Sequence, residues 1–353
     1  MKKLGLLAFA VVLCIGNAFA QTVPSHAQYV KMGSTIPWYT AYNNWTPGQP
    51  LYNGDSEAAE NEQFFISRVK PRKRFTFTGT QVKESLDPER KVLWWCPINE
   101  STWNALPSYF FNGEAYSMWN YTDTYGNWTA PLIQAPAAFL DVCHKNGVRS
   151  GVVAAVPFGA GPSPNDGGHG SNINAIYTQG SDKLLKYLRY YGVDGIGFNS
   201  EFSWSLLSHT QFKSVMGDCY SKAESYGVPF NNAWYSFTAN GGSYGDYSVL
   251  NSNCVDWFHY NGKKVSDAYF LNYNWGSSQL ATSQSTAEGK GRSGYDVYGG
   301  MDFQGRSYAS WIALKSYKIS FGIWGAHNTN MIFLQQTENG SSPVCCKNII
   351  LVL

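Results

Sequence analysis

Gly192-Val193-Asp194-Gly195-Ile196-Gly197-Phe198-Asn199-Ser200-Glu201 is the stretch from which the fold of this 353-residue chain can be read. It opens where a helix predicted from Ser181 ends at Gly192, with Leu184, Leu185, Leu188 and Tyr191 on one stripe, and it continues as a strand over 193–199. The same order of helix, Gly-Val and strand occurs twice more. A helix opening at Pro136 places Phe139, Leu140 and Cys143 on its inner face, stops at Asn146-Gly147 and feeds a strand over 148–156. Another carries Phe212, Val215, Met216, Cys219, Tyr220 and Ala223 at i, i+3, i+4, i+7 spacing, stops at Gly227 and feeds a strand over 228–235. Further strands are predicted at 91–96, 119–123, 268–275, 296–303 and 320–324, which brings the set to eight. No Gly-rich phosphate loop follows the first strand, so the α/β rhythm reads as a (β/α)8 TIM barrel rather than a doubly wound sheet. Chemistry is then expected at the strand C-termini.

Side chains alternate along a strand, so Gly195, Gly197, Asn199 and Glu201 share one face, with two polar groups at its C-terminal end. By composition alone Glu201 reads as a surface acid or a helix-cap partner. In an aromatic mouth it reads instead as an acid able to protonate a leaving oxygen. An ordinary retaining glycosidase needs a second carboxylate about 5 Å away. Here the neighbour on that face is an amide. Asn199 cannot be that nucleophile, but it can orient an acetamido group whose own oxygen attacks the anomeric carbon, which implies a 2-acetamido sugar.

Composition fits a neutral, hydroxyl-rich ligand: aromatics are 16% of the chain and charged residues only 14%. The formal charge of +2 falls to zero once Lys2 and Lys3 are removed with the leader, so the basic surplus of a nucleic-acid binder is missing. Residues 1–20 carry Lys2-Lys3, an apolar run from Leu4 to Ile15 and Ala18-Phe19-Ala20, the three parts of a secretory signal. That predicts export, to a periplasmic, cell-surface or secreted destination. The apolar run is too short for a membrane span, and no stable membrane insertion is expected. Six cysteines remain after Cys14, with no metal-type spacing. No cofactor and no metal are expected, and Cys143 and Cys219 read as buried thiols on helix faces. Gly241-Gly242-Ser243-Tyr244-Gly245 fits G-x-S-x-G, but no buried strand precedes it and no apolar helix follows. The run Lys70-Pro71-Arg72-Lys73-Arg74 reads as a solvated face. The Gly- and Pro-rich segment 159–174 reads as a lid or a long connection.

At this point the chain resembles the endo-β-N-acetylglucosaminidases of glycoside hydrolase family 85. The resemblance runs in order through Trp119-Asn120-Tyr121-Thr122-Asp123, His144-Lys145-Asn146-Gly147-Val148, Val193-Asp194-Gly195, Asn199-Ser200-Glu201 and Trp234-Tyr235. It continues through Phe270-Leu271-Asn272-Tyr273-Asn274-Trp275, Asp296-Val297-Tyr298-Gly299-Gly300-Met301-Asp302 and Gly305-Arg306. The resemblance implies cleavage between the two core GlcNAc units of N-linked glycans or glycoproteins, with retention and without a metal. It implies Glu201 as acid/base, Asn199 as the group orienting the acetamido nucleophile, and Tyr235 as a hydrogen-bonding partner of the same group. Trp119, Trp234, Tyr244 and Trp275 become candidate sugar platforms, with core packing the alternative for each, and Asn272, Asp302 and Arg306 candidate partners of glycan hydroxyls. Transglycosylation would follow from an intermediate that a sugar acceptor can trap.

A chitinase-like family with D-G-x-D-x-D-x-E is similar in chemistry, but aligned on Asp194-Gly195 its second and third acids fall on Gly197 and Asn199. A barrel that holds glycan without cutting it is the other alternative. The resemblance is poor around Trp94-Trp95-Cys96-Pro97. The expected layout is a leader at 1–20, an N-terminal extension at 21–90 with only a short strand at 75–80, a barrel at 91–340 lacking its last helix, and an apolar tail at 341–353. Family members usually continue into a β-sandwich there.

Overall fold

The computed structural model describes residues 33–73, 87–96, 116, 118–128, 133–155, 162–303 and 311–325. The leader, the strand expected at 75–80, Arg306 and the tail at 341–353 lie outside the described residues, as does any last helix of the barrel.

Eight parallel strands close into a barrel in sequence order: β1 Val92–Cys96, β2 Thr124–Trp128, β3 Arg149–Ala155, β4 Gly195–Asn199, β5 Asn231–Tyr235, β6 Ala268–Leu271, β7 Val297–Asp302 and β8 Ser320–Trp324. β8 pairs with β1 to close the ring, Phe321 opposite Val92 and Trp324 opposite Trp95. Helices α3 (Ala137–Lys145), α4 (His169–Tyr191), α5 (His209–Tyr226) and α6 (Ser277–Gly289) lie on the outside. The β5–β6 connection holds a 3-10 turn at Val255–Trp257 and a two-stranded hairpin in place of a helix. The Gly-Val junctions behave as their spacing predicts: Gly192 and Gly227 end α4 and α5 at φ 72° and 64°, a left-handed conformation in which glycine has no Cβ penalty.

Two expectations move. β2 lies just beyond 119–123, because Tyr121 and Thr122 donate N–H bonds back to Met118 and Trp119 and turn the chain first. Asp123 then meets the start of β1, accepting from Val92 N–H at 2.8 Å. The segment 159–174 is not one loop: α4 already begins at His169, and Gly180 at φ 81° kinks it at the point where a new helix was expected to open.

The described part of the N-terminal extension, residues 33–73, holds helices that its sequence does not announce. α1 (Trp38–Asn44) docks on α4, and α2 (Ser56–Asn61) runs into a 3-10 turn at Glu62–Phe65. Trp38, Tyr42 and Trp45 pack edge-on against Tyr187, and Tyr191 donates its hydroxyl to the buried Glu62. A strap at 66–73 then crosses the N-terminal pole of the barrel, where Ser67 N–H reaches the Tyr191 carbonyl and Arg72 N–H the His144 carbonyl.

The barrel interior is built on one stacked pair. Trp95 from β1 and Phe270 from β6 face each other at 5.2 Å with only 4° between their planes. Rings of that size fit because their neighbours lack side chains: a Cβ on Gly126 or Gly197 would come within 2.6 Å of Trp95, and one on Gly322 within 2.4 Å of Phe270. Leu93, Val153, Ala233, Ala268 and Tyr298 complete this inner cluster.

At the N-terminal pole the His144 ring sits between two acceptors, Nε2 3.0 Å from Asp194 Oδ2 and Nδ1 2.7 Å from the Val69 carbonyl oxygen. Only the imidazolium donates to both acceptors at once, so the site favours the charged ring, with the Ser150 hydroxyl 3.1 Å from the same Nε2. Burial alone would lower its pKa, but the hydrogen bond and charge of Asp194 outweigh it and raise the value above 6.5. The pair therefore contributes fully below about pH 6.5 and less as the pH climbs through the raised value.

Asp194→Asn, which leaves the buried imidazolium without its counter-charge, should cost about 3–5 kcal/mol in urea unfolding at acid pH, with a smaller deficit in mild alkali. Gly197→Ala should cost about 1–3 kcal/mol in the same titration, because the added Cβ would lie 2.6 Å from a Trp95 ring already stacked on Phe270.

Candidate active site

The mouth at the strand C-termini is assembled from several connections. Asn199 ends β4 facing inward, and Glu201 follows it on the same side. Its backbone is pinned from below: Ser200 Oγ lies 2.9 Å from Thr238 Oγ1 and accepts from Trp204 Nε1 at 3.1 Å. Asn199 Nδ2 donates to Glu201 Oε2 at 3.1 Å. With its Nδ2 on that carboxyl oxygen, the amide presents Asn199 Oδ1 as the acceptor offered to a ligand.

β4 and β5 are paired with Phe198 opposite Trp234, which sets Tyr235 beside Asn199. The Tyr235 ring is buried, and its hydroxyl donates to Asn272 Oδ1 at 2.8 Å. Burial, and then the charges of Tyr273 and Glu201, push its pKa well above the usual tyrosine value, so it remains a phenol at working pH. After β5 the chain makes a small antiparallel hairpin, Thr238 bridging to Tyr244, with Gly242 at φ 85° in its tip. The tip is tied down by Trp204 N–H to the Gly242 carbonyl at 2.8 Å and by Lys213 Nζ to the Asn240 carbonyl at 2.8 Å. Ser243, in the G-x-S-x-G pattern, belongs to this tip and has no nucleophile-elbow strand beneath it. The hairpin's return arm presents Tyr244, 40% exposed, and Asp246 at the mouth. The Tyr244 pKa is raised by partial burial and by the charges of Glu201 and Asp246.

Opposite, Asp302 ends β7 beside Trp324 of β8. Trp324 and Trp128 of β2 flank the end of β1 and meet at 4.3 Å and 49°, half-buried above the Trp95 floor. Their amphipathic rings suit the apolar faces of sugars.

Asn199, Glu201, Tyr235, Tyr244, Asn272 and Asp302 thus come together at one mouth. Three of the tryptophans expected as sugar platforms do not. Trp234, next to an inward residue, points outward and stacks on Trp257 at 4.1 Å and 7° beneath α5. Trp275 is buried and donates Nε1–H to the Gly300 carbonyl at 2.8 Å. Trp119 lies before β2, at the N-terminal pole, against Tyr116 and Tyr125. The alternation that paired Asn199 with Glu201 also identifies what was missed: Gly126 and Trp128, like Gly322 and Trp324, share the inner face. Asp246 carries no periodic signal.

A cavity of about 430 Å³ opens at the opposite pole, between the strap and the starts of β4 and β5. Its buried ionisable groups are His144 and Asp194, already committed to each other. The candidate catalytic groups Asn199 and Glu201 are at the other end. Among the described residues no group of three or more His, Cys, Asp or Glu could hold a metal ion, and no helix is long and apolar enough to cross a membrane. Cys96, Cys143, Cys219 and Cys254 are buried thiols.

Comparison with known proteins bears on the same barrel. A search of solved structures finds the glycoside hydrolase domain of Spr0440, Endo-D from Streptococcus pneumoniae R6, at TM-score 0.64 and 19% identity, over 87% of this chain and 48% of that one. The chain spans about half the length of that relative, and the likeness shows the shared barrel fold. The catalytic domain of a family GH18 chitinase from the fern Peteris ryukyuensis aligns at TM-score 0.40 and 12% identity, over 69% of this chain and 93% of that one. No curated protein matches the sequence. The family model described as Glycosyl hydrolase family 85 matches residues 102–339, well over half of the chain and every strand from β2 to β8. The chain therefore belongs to glycosyl hydrolase family 85.

Proposed function

We propose that this protein is an exported endo-β-N-acetylglucosaminidase that hydrolyses the β-1,4 bond between the two core GlcNAc units of N-glycans with retention. The observation that carries the reading is the Asn199–Glu201 bond, which leaves an amide oxygen and a carboxyl group side by side above an aromatic floor. Family membership and the fold of Endo-D support the enzyme class.

In the proposed reaction Asn199 Oδ1 accepts the N–H of the acetamido group and turns its carbonyl oxygen toward C1. Glu201 gives its proton to the glycosidic oxygen as the C1–O bond breaks, while the acetamido oxygen forms the new bond to C1. The positive charge of the resulting oxazolinium spreads over the acetamido nitrogen, within reach of Asn199 Oδ1 and the Tyr235 oxygen. Glu201, now a carboxylate, takes a proton from water as the water oxygen attacks C1 from the vacated face. The second displacement restores both the acetamide and the acid, and retention follows from two inversions. A sugar hydroxyl in place of that water would give transglycosylation. Trp128, Trp324 and Tyr244 supply the faces on which sugar rings stack. The leader at 1–20 supports export.

The test is release of a glycan carrying a single reducing-end GlcNAc from a denatured N-glycoprotein, read by mass spectrometry. Glu201→Gln should lower kcat by about 10²–10⁴-fold while glycan binding persists. Retained glycan with no release by wild type would replace this reading with a binding protein. Trp324→Ala should raise KM without changing the unfolding midpoint much, whereas Trp234→Ala should cost about 3–5 kcal/mol of stability and leave KM nearly unchanged.

A further inference from the structure

Asp246, on the return arm of the hairpin, has no role in the reaction above, yet it lies at the end of a chain of bonds that reaches into it. Asp246 Oδ1 accepts from Asn272 Nδ2 at 2.6 Å and from Ser248 Oγ at 3.1 Å, and its Oδ2 accepts from Asn274 Nδ2 at 3.3 Å. The other end of the Asn272 amide, Oδ1, accepts from Tyr273 N–H at 2.7 Å and from the Tyr235 hydroxyl at 2.8 Å. The backbone beneath is fixed as well, with Asn272 N–H donating to Ser236 Oγ at 3.0 Å and that hydroxyl donating to the Tyr247 carbonyl.

The direction of each bond follows from what its partners can do. A backbone N–H only donates, so the atom facing Tyr273 N must be the amide oxygen. An ionised carboxylate only accepts, so the atom facing Asp246 must be the amide nitrogen. These two partners, on opposite ends of one amide, exclude the flipped orientation. The Tyr235 hydroxyl therefore meets an acceptor and must spend its single proton on it. The Tyr273 hydroxyl, its other side-chain partner, takes one lone pair, and the lone pair left over is what Tyr235 offers to the mouth.

We propose that Asp246 is a positioning residue that acts through Asn272: it holds the Tyr235 proton away from the mouth, so that Tyr235 turns a lone pair and not its proton toward the acetamido group. This rests on the substrate-assisted reading above. Asn199 Oδ1 already takes the single acetamido N–H, so the Tyr235 lone pair acts through its partial negative charge beside the ring on which positive charge grows as the oxazolinium forms, and the charge of Asp246 at the far end of the relay reinforces it. Without Asp246 the Asn272 oxygen is held by Tyr273 N–H alone and its NH2 has lost its partner, so the amide loosens, takes the Tyr235 proton less firmly and lets the hydroxyl turn a donor toward a developing cation.

The experiment compares Asp246→Ala, Asp246→Asn, Tyr235→Phe and the double variant Asp246→Ala/Tyr235→Phe on a chitobiose-core glycopeptide. Asp246→Ala should lose kcat by about 10–100-fold with KM within about 3-fold. Asp246→Asn should recover most of that loss, because its Oδ1 still accepts from Asn272. In the Tyr235→Phe background the alanine change should add less than about 2-fold. Losses that multiply in the double variant, a loss confined to KM, or no recovery in Asp246→Asn would each overturn the proposal, the second of them in favour of direct sugar contact.

The relay is also read without turnover. In protein labelled with 15N-asparagine, the Asn272 side-chain amide, assigned by its disappearance in Asn272→Asp, should keep its two separate proton shifts in wild type and Asp246→Asn and lose them in Asp246→Ala. An Asn272 signal unchanged by Asp246→Ala overturns the proposal whatever the activity. A wild type that shows the relay but releases no glycan overturns the functional reading instead.

Discussion

The stacked rings of Trp95 and Phe270 set the dimensions of everything above them. A closed eight-stranded barrel has just enough interior for layers of side chains, and here one layer is spent on two large rings lying flat against each other. That choice forces glycine or alanine onto the facing positions of the neighbouring strands, which is why Gly126, Gly197, Gly322 and Ala233 recur on the inner face. It also fills the barrel to one level and leaves the next level open. Asn199, Tyr235 and Asp302 are the residues of that next level, and Trp128 and Trp324 are its walls.

The two poles of the barrel divide the labour. At the N-terminal pole polar groups are paired with each other: His144 with Asp194, and Arg90 with the carbonyls of Leu314, Tyr317 and Ile319. At the C-terminal pole Asn272 is bonded at both ends of its amide, but Asn199 commits only its Nδ2, to Glu201, and keeps Oδ1 as an acceptor. His144, inside a segment that resembles a family motif, belongs to the first group. Its place in the motif reflects folding rather than chemistry.

Much of this was legible in the sequence because it is periodic. The Gly-Val junctions marked three strand starts, the alternation along 195–201 put Asn199 and Glu201 on one face, and the strand at 320–324 was placed with its observed bounds. The same rule, extended one residue, would have excluded Trp234, since a strand that aims Tyr235 inward aims its neighbour outward. Trp38, Ala41, Tyr42 and Trp45 carry helical spacing that went unread, because a helix this short depends for its stability on the Tyr187 face it covers, and that face lies in another part of the chain. Asp246 had no signal at all. It reaches Asn272 through the geometry of a hairpin, and hairpin geometry is not a period.

The docking of the extension on α4 bears on how the chain folds as it is made. Trp38 donates its Nε1–H to the Tyr187 hydroxyl across a separation of 149 residues, and β1 bonds through Lys91 N–H to Ser320 Oγ across 229. During synthesis the aromatic face of α1 therefore emerges long before its partner, and β1 waits for nearly the whole barrel before its second edge is covered. Contacts of such high sequence separation slow folding and leave apolar surface exposed in the interval. α1 and β1 are thus passengers on the ribosome, and the barrel becomes one cooperative body only when β8 arrives.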